Sequence, residues 1–379
     1  MSSRSSILAS VIIVVVVFSA VGGFIFMTNP YVPAKIAVVV SEPGFGDLSM
    51  ADQVLAGLEA LGGDIIVDYQ YFTAADQAAA QTILETNSAS TEFDLIVVIG
   101  GELADELQTV AANHLNQKYA FIGGEVVANN VYSATFIQSE GAFLAGALAA
   151  LTCVGDVNRT GTSIAGIVAS VATDPVVISL IAGFKQGFEH ANTTYNLNVT
   201  LLPEVYVGSY NDTAEAESLA LDMYDPDLGN ASIIFAPVRA SMQGIRNAMI
   251  QANATWYNNT LRRPLAIAAE GDQDYYGLPN IETNVGSSWI ITSVVPRSDL
   301  AVYDVINATL WNEFEGATLA YDLDNDLYDP ELEEFVAGVA LTRSESINFQ
   351  WVPLRFFDAI DDMRLGILNG TITVSETYP

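Results

Sequence analysis

The sequence predicts an α/β fold built from two doubly wound domains, and three observations lead there. Short β-branched runs alternate with amphipathic or Ala-rich stretches along the chain after Pro33. The strand-like runs are apolar nearly throughout rather than at every second residue, as expected of parallel strands covered by helices on both faces. Roughly 350 residues of this pattern exceed what one hydrophobic core accommodates.

Taken in order, the first strand is expected at 35–40, where Lys35-Ile36-Ala37-Val38-Val39-Val40 follows two prolines, and a helix at 49–61 comes next. The alternation continues with strands at 64–71, 95–99, 120–122, 164–169, 201–207, 233–236, 265–269 and 290–295. Helices are expected between and after them at 74–85, 104–112, 141–151, 175–189, 214–223, 242–251 and 300–314, with a closing helix at 354–368. Polar stretches at 152–162 and 255–264 interrupt the pattern and read as internal boundaries. In open α/β sheets ligands dock at the carboxyl ends of strands, so residues just past the strands are the place for a site.

A formal charge of −32, from 45 acidic and 13 basic side chains, excludes a nucleic-acid partner. Phosphate binding needs clustered Lys and Arg, and Lys35, Lys118 and Lys185 are the only lysines. Docking on anionic lipid through a basic face is disfavoured for the same reason. One cysteine, Cys153, excludes an internal disulfide and a Cys-based metal cluster. His114 and His190 leave little material for a His-metal site or a catalytic triad and read as helix-surface residues.

Residues 7–27 are uncharged and apolar; as a helix they would span about 31 Å, enough to cross a bilayer. A retained transmembrane helix is expected over a cleaved signal peptide, because the run continues past the poor cleavage site Phe18-Ser19-Ala20 and no Cys follows to accept lipid. Arg4 ahead of the run favours an N-inside, single-pass orientation in the cell membrane with the bulk of the chain extracytoplasmic. Asn-x-Ser/Thr triplets begin at Asn158, Asn192, Asn198, Asn211, Asn230, Asn253, Asn258, Asn307 and Asn369, and mark candidate glycosylation sites on that outer side.

Several segments occur in a telling order: Gly44-Phe45-Gly46-Asp47-Leu48-Ser49, Phe93-Asp94-Leu95-Ile96-Val97 ahead of Gly100-Gly101, Glu140-Gly141-Ala142-Phe143-Leu144-Ala145-Gly146, Ile181-Ala182-Gly183-Phe184, Tyr206-Val207-Gly208-Ser209-Tyr210-Asn211-Asp212 and Gly271-Asp272-Gln273. Together they resemble the basic membrane protein family of ABC-transporter solute-binding proteins, whose characterised members bind purine nucleosides. The resemblance runs over roughly 35–369 and implies a type I periplasmic-binding-protein fold, two lobes with a hinge cleft and chain crossings near Thr152, Thr255 and Val295. The implied division is an anchor at 1–30, lobe 1 at 35–152 with 265–295, lobe 2 at 153–264 with 296–345, and a C-terminal helix and tail at 346–379. The implied partners are a small polar solute and an ABC permease in the membrane.

Carried over residue by residue, the resemblance implies a ligand-binding set of Ser41, Asp47, Ser49, Met50, Gly100, Gly123, Tyr210, Arg239, Glu270 and Asp272. Ser41 stands where the family has an Asp, Met50 and Ala51 where it has Phe and Asn, Gly123 where it has an Asp, and Pro296 where it has a Lys. Met covers an apolar face but loses the planar overlap that favours a base. Tyr210 replaces a stacking Phe, Glu270 an Asp that accepts ribose hydroxyl bonds, and Arg239-Ala240 a Gly-Gly pair. Arg239 has two readings: an anchor for an anionic ligand through its planar fork, or an arginine paired to local acids.

Asp322, Asp324, Asp326 and Glu333 fall at positions 1, 3, 5 and 12 of an EF-hand-like loop. That spacing of hard oxygen ligands suits Ca²⁺, although Leu327 takes the place of the turn glycine, and a solvated acidic hairpin is the alternative. No other cofactor is expected. The leading function is therefore solute capture; a glycosylated structural or sensory surface protein with a degraded pocket is the alternative. An enzyme is disfavoured, because Glu270 and Asp272 come with no nucleophile or base constellation.

Overall fold

The computed structural model describes residues 33–61, 67–156, 159–258, 260–281, 286–343 and 351–378. The expected N-terminal membrane helix and Asn158 lie outside the described residues; among those described, no helix is long and apolar enough to cross a membrane.

In the first part of the chain β1 (Ala34–Ser41), β2 (Val67–Ala74), β3 (Leu95–Ile99), β4 (Tyr119–Ile122) and β5 (Val131–Phe136) alternate with α1 (Met50–Leu61), α2 (Gln77–Ser90) and α3 (Ala104–Asn113). Then come α4 (Gln138–Cys153), a short hairpin of β6 (Gly155–Asp156) and β7 (Arg159–Thr160), β8 (Ile164–Ala169), α5 (Pro175–Tyr195), β9 (Thr200–Leu201) and β10 (Val205–Tyr206). They are followed by α6 (Thr213–Tyr224), β11 (Ile233–Ala236), α7 (Met242–Ala252), β12 (Leu265–Ala269) and β13 (Ile290–Pro296). The last part holds α8 (Ser298–Leu310), β14 (Ala317–Tyr321), a hairpin of β15 (Leu327–Asp329) and β16 (Glu334–Val336), β17 (Val339–Leu341) and α9 (Leu354–Leu368).

These strands form two main sheets. The first has six strands in the order β14-β5-β4-β3-β1-β2, all parallel. The second has seven, in the order β10-β8-β11-β12-β13-β17 with β9 beside β8; β17 alone runs antiparallel to its neighbour. The central strands carry the unbroken apolar runs: every residue of β3, β4, β11 and β12 is buried, as a strand covered on both faces requires. Strands β5 and β14 escape the apolar pattern because Val131-Tyr132-Ser133-Ala134-Thr135-Phe136 mixes hydroxyl residues into the run and β14 is a largely exposed edge.

The division between lobes differs from the one expected. Strands β12 and β13, at 265–296, continue the second sheet, whereas α8 and β14, at 298–321, pack on the first through Leu300, Val302 and Ile306 and through the β14–β5 pairing. Helix α4 belongs to the second lobe because almost its whole surface is buried there, and its backbone touches α5 directly. A Cβ added at Gly183 would lie 2.0 Å from Ser139 O, so only glycine admits this approach. The polar stretches taken as boundaries are the β6–β7 turn and the loop after α7, both inside the second lobe. The chain passes between the two sheets at 136–138, 296–298 and 336–339, where the expected crossings were near Thr152, Thr255 and Val295. The crossings are tied down through backbone: the Arg297 N–H donates to Gly338 O, joining two of them, and the Ile137 and Val339 N–H groups donate to Tyr321 O and Asp322 O at the end of β14, each at 2.8 Å.

Candidate functional site

The carboxyl ends of the two sheets face each other across a cavity of about 410 Å³. The first lobe contributes Ser41 at the end of β1, Glu42, Asp47 and Ser49 from the following loop, Met50 at the start of α1, Gly100 and Glu102 after β3, and Gly123 after β4. The second contributes Asp174 and Pro175 where α5 begins, Tyr210 ahead of α6, Arg239 after β11 and Glu270 directly after β12. Nine of the ten expected ligand residues therefore line one cavity. A larger hollow, about 800 Å³, lies around Ala34, Asp94 and Lys118; these flank the amino-terminal ends of β1, β3 and β4, the end of an α/β sheet at which ligands do not dock.

Asp272 is the exception. Glu270 turns through a left-handed backbone, φ 66°, and two residues on the chain has left the cavity. Asp272 lines a separate hollow with Gln53, Arg297 and Thr342, and its Oδ1 accepts from Asp274 N at 3.1 Å.

Arg239, also left-handed at φ 48°, is held from three sides. Its Nε donates to Glu270 Oε2 at 2.7 Å, its Nη2 lies 3.8 Å from Asp174 Oδ2, and its guanidinium carbon stands 4.4 Å from the centre of the Tyr210 ring. The Tyr210 hydroxyl donates to Asp174 Oδ2 at 2.6 Å while Asp174 Oδ1 caps α5 by accepting from Val176 N at 2.8 Å. Of the two readings of Arg239, the geometry shows the paired one.

Glu270 is 1% exposed, and its Oε1 has no hydrogen-bond partner among the described residues. Burial pushes its carboxyl above the ordinary range, and Arg239 pulls it only part of the way back. Burial likewise raises Asp47. For Arg239 burial acts downward, but Glu270 and then Glu102 outweigh it and the guanidinium is held more firmly charged. Tyr210 is raised by burial and by its bond to Asp174.

The walls are as specific as the charges. Gly123 has φ 87°, and a Cβ there would meet Met50 Sδ at 2.7 Å, so Met50 lies flat over bare backbone. The Ser41 hydroxyl donates to Glu102 Oε1. Gln273 Nε2 donates across the lobes to Asp47 O at 2.6 Å and, within its own lobe, to Arg239 O at 3.3 Å. A Cβ on Gly271 would lie 2.2 Å from Leu48 O, so the lobes touch there through backbone.

Asp174, Glu102 and Gln273 are absent from the expected ligand set. Asp174-Pro175 carried a usable signal: an N-cap residue followed by proline, opening a helix soon after an apolar strand, marks a side chain at a carboxyl strand end. Glu102 follows the Gly100-Gly101 pair with no such mark.

The acidic loop does not assemble into a metal site. Among the described residues no group of three or more His, Cys, Asp or Glu side chains is placed to hold a metal ion. Leu327, at the position where a cation loop needs glycine, is buried and begins the β15–β16 hairpin, which puts Glu333 in its exposed turn, away from Asp322, Asp324 and Asp326. Among the sequons, Asn198, Asn211, Asn258 and Asn369 are exposed. Asn230 is engaged by Arg262 Nη1 at 2.7 Å, and Asn253 Oδ1 is buried without a partner.

The family model described as "Bmp: ABC transporter substrate-binding protein PnrA-like" matches residues 34–328. An ABC transporter nucleoside-binding protein, BmpA, of Lactococcus lactis subsp. cremoris is 23% identical over 351 residues, 90% of this chain and 88% of that protein. An uncharacterized lipoprotein of Pyrococcus abyssi is 24% identical over 314 residues, 82% of this chain and 72% of that one. Among solved structures, an ABC transporter solute-binding protein from Aeropyrum pernix K1 superimposes with a TM-score of 0.73 at 22% identity, covering 92% of this chain and 94% of that one. That likeness establishes the two-lobed fold.

Proposed function

Because the chain belongs to the Bmp family of PnrA-like ABC transporter substrate-binding proteins, we propose that it captures a small polar solute in the cavity between its lobes and presents it to a membrane permease. The family is one of extracytoplasmic solute-binding proteins rather than enzymes. Lipoproteins among the relatives agree with a place at the outer face of the membrane, and the apolar run at 7–27 is our candidate for the tether.

One observation carries the reading: polar side chains from both lobes converge, at the carboxyl ends of parallel strands, on one cavity large enough for a small molecule. A ligand touching both walls favours the lobes drawn together, which is how such a receptor signals occupancy. The surface-protein alternative is not favoured, since the substituted positions still enclose a cavity. Mass spectrometry of small molecules released on unfolding the purified full chain tests the reading. A stoichiometric solute, lost when Met50→Trp fills the cavity, is expected; a solute retained undiminished by that variant would sink it.

A further inference from the structure

The chemistry of the ligand is legible in the cavity, an inference that rests on the solute-capture reading. Among the described residues, Glu42, Asp47, Glu102, Asp174 and Glu270 line it against one cation, Arg239. Arg239 is already committed to Glu270 at 2.7 Å and lies 3.8 Å from Asp174, so it offers little to an incoming anion. Its guanidinium also covers a face of the Tyr210 ring, the lining aromatic, and the first lobe supplies Met50 and bare glycine backbone where a second ring could have stood. Independently of the charge count, Glu270 is 1% exposed and its Oε1 lacks a donor among the described residues. A buried acceptor in that state is costly, and a ligand N–H would satisfy it.

We propose that the cleft takes a small cationic solute, bearing a protonated amine or guanidinium, whose N–H groups bond Glu270 Oε1 and whose charge is balanced by Asp47 and Glu102. Arg239 then acts as a specificity-determining residue: by filling the Tyr210 face it denies a planar uncharged base its stacking platform. The surplus of carboxylates between low-dielectric walls draws cations inward and repels anions.

Calorimetry on the full chain in detergent, with agmatine, spermidine, adenosine and glutamate as probes, tests this. Heat is expected with an amine and not with adenosine or glutamate. Affinity should fall as salt rises, and by about tenfold or more in Glu270→Gln, where a buried charged partner is removed. Should Glu270→Gln fold poorly, Glu102→Gln at the exposed rim should weaken the amine with thermal stability unchanged. Binding of adenosine or glutamate in place of amines overturns the cationic assignment and leaves solute capture standing. Amine binding unaffected by either variant also overturns it, since the amine would then sit on the acidic surface at large. Heat from none of the four overturns it too, and the released-solute experiment judges the receptor reading separately.

Discussion

Arg239 and Glu270 depend on each other more than on solvent, with side chains 19% and 1% exposed. Removing one partner of such a pair strands the other charge, at a cost of about 3 kcal/mol or more. Arg239→Ala is therefore expected to unfold at lower denaturant than the parent at pH 7.5. A carboxyl whose pKa is raised on folding binds more protons in the folded chain. Its contribution is thus present below the unfolded pKa and is lost as pH rises through the folded one. Without Arg239 the carboxyl rises further, so the deficit of the variant should shrink between pH 7.5 and pH 5. Denaturant midpoints of both proteins across that interval check this, and a deficit independent of pH contradicts it. The pairing itself was only half legible in the sequence: residues past β11 and β12 could be named, but that their charges cancel depends on two left-handed residues, which no sequence pattern announced.

At the scale of elements, the α4–α5 pair is set by glycine. Cβ atoms at Gly146, Gly183 and Gly187 would fall 2.0, 2.0 and 1.8 Å from carbonyl oxygens of the facing helix. Gly183→Ala must push the helices apart and is expected to cost about 3 kcal/mol, near the upper end for overpacking, read as a lowered thermal midpoint. An unchanged midpoint would show that the helices slide freely. The Ala- and Gly-rich composition of 141–151 predicted a helix, yet not its lobe. Apolar side chains all around a helix say that it is buried, not which sheet buries it. Strands β5 and β14 were missed for the converse reason, since hydroxyl side chains and edge exposure erase the run that marks a central strand.

For the whole molecule, alternating strands and helices predicted two parallel-sheet lobes, and the family segments pointed to a cleft, while the lobe boundaries went astray. Polarity marks loops; it does not tell a loop within a lobe from a hinge between lobes. A Cβ on Gly271 would lie 2.2 Å from Leu48 O across the lobes, so Gly271→Val should hold them apart. A larger radius of gyration by X-ray scattering and weaker ligand binding are expected together, and an unchanged radius would place the contact outside the closing motion. The decisive measurement is hydrogen exchange on the full chain with and without a solute that binds it, whether released from the purified protein or added as agmatine or spermidine. Simultaneous protection of 42–50 and 100–102 in one lobe and of 171–176 and 239–241 in the other is expected; protection confined to a single lobe, or lying away from all four segments, contradicts capture between the lobes.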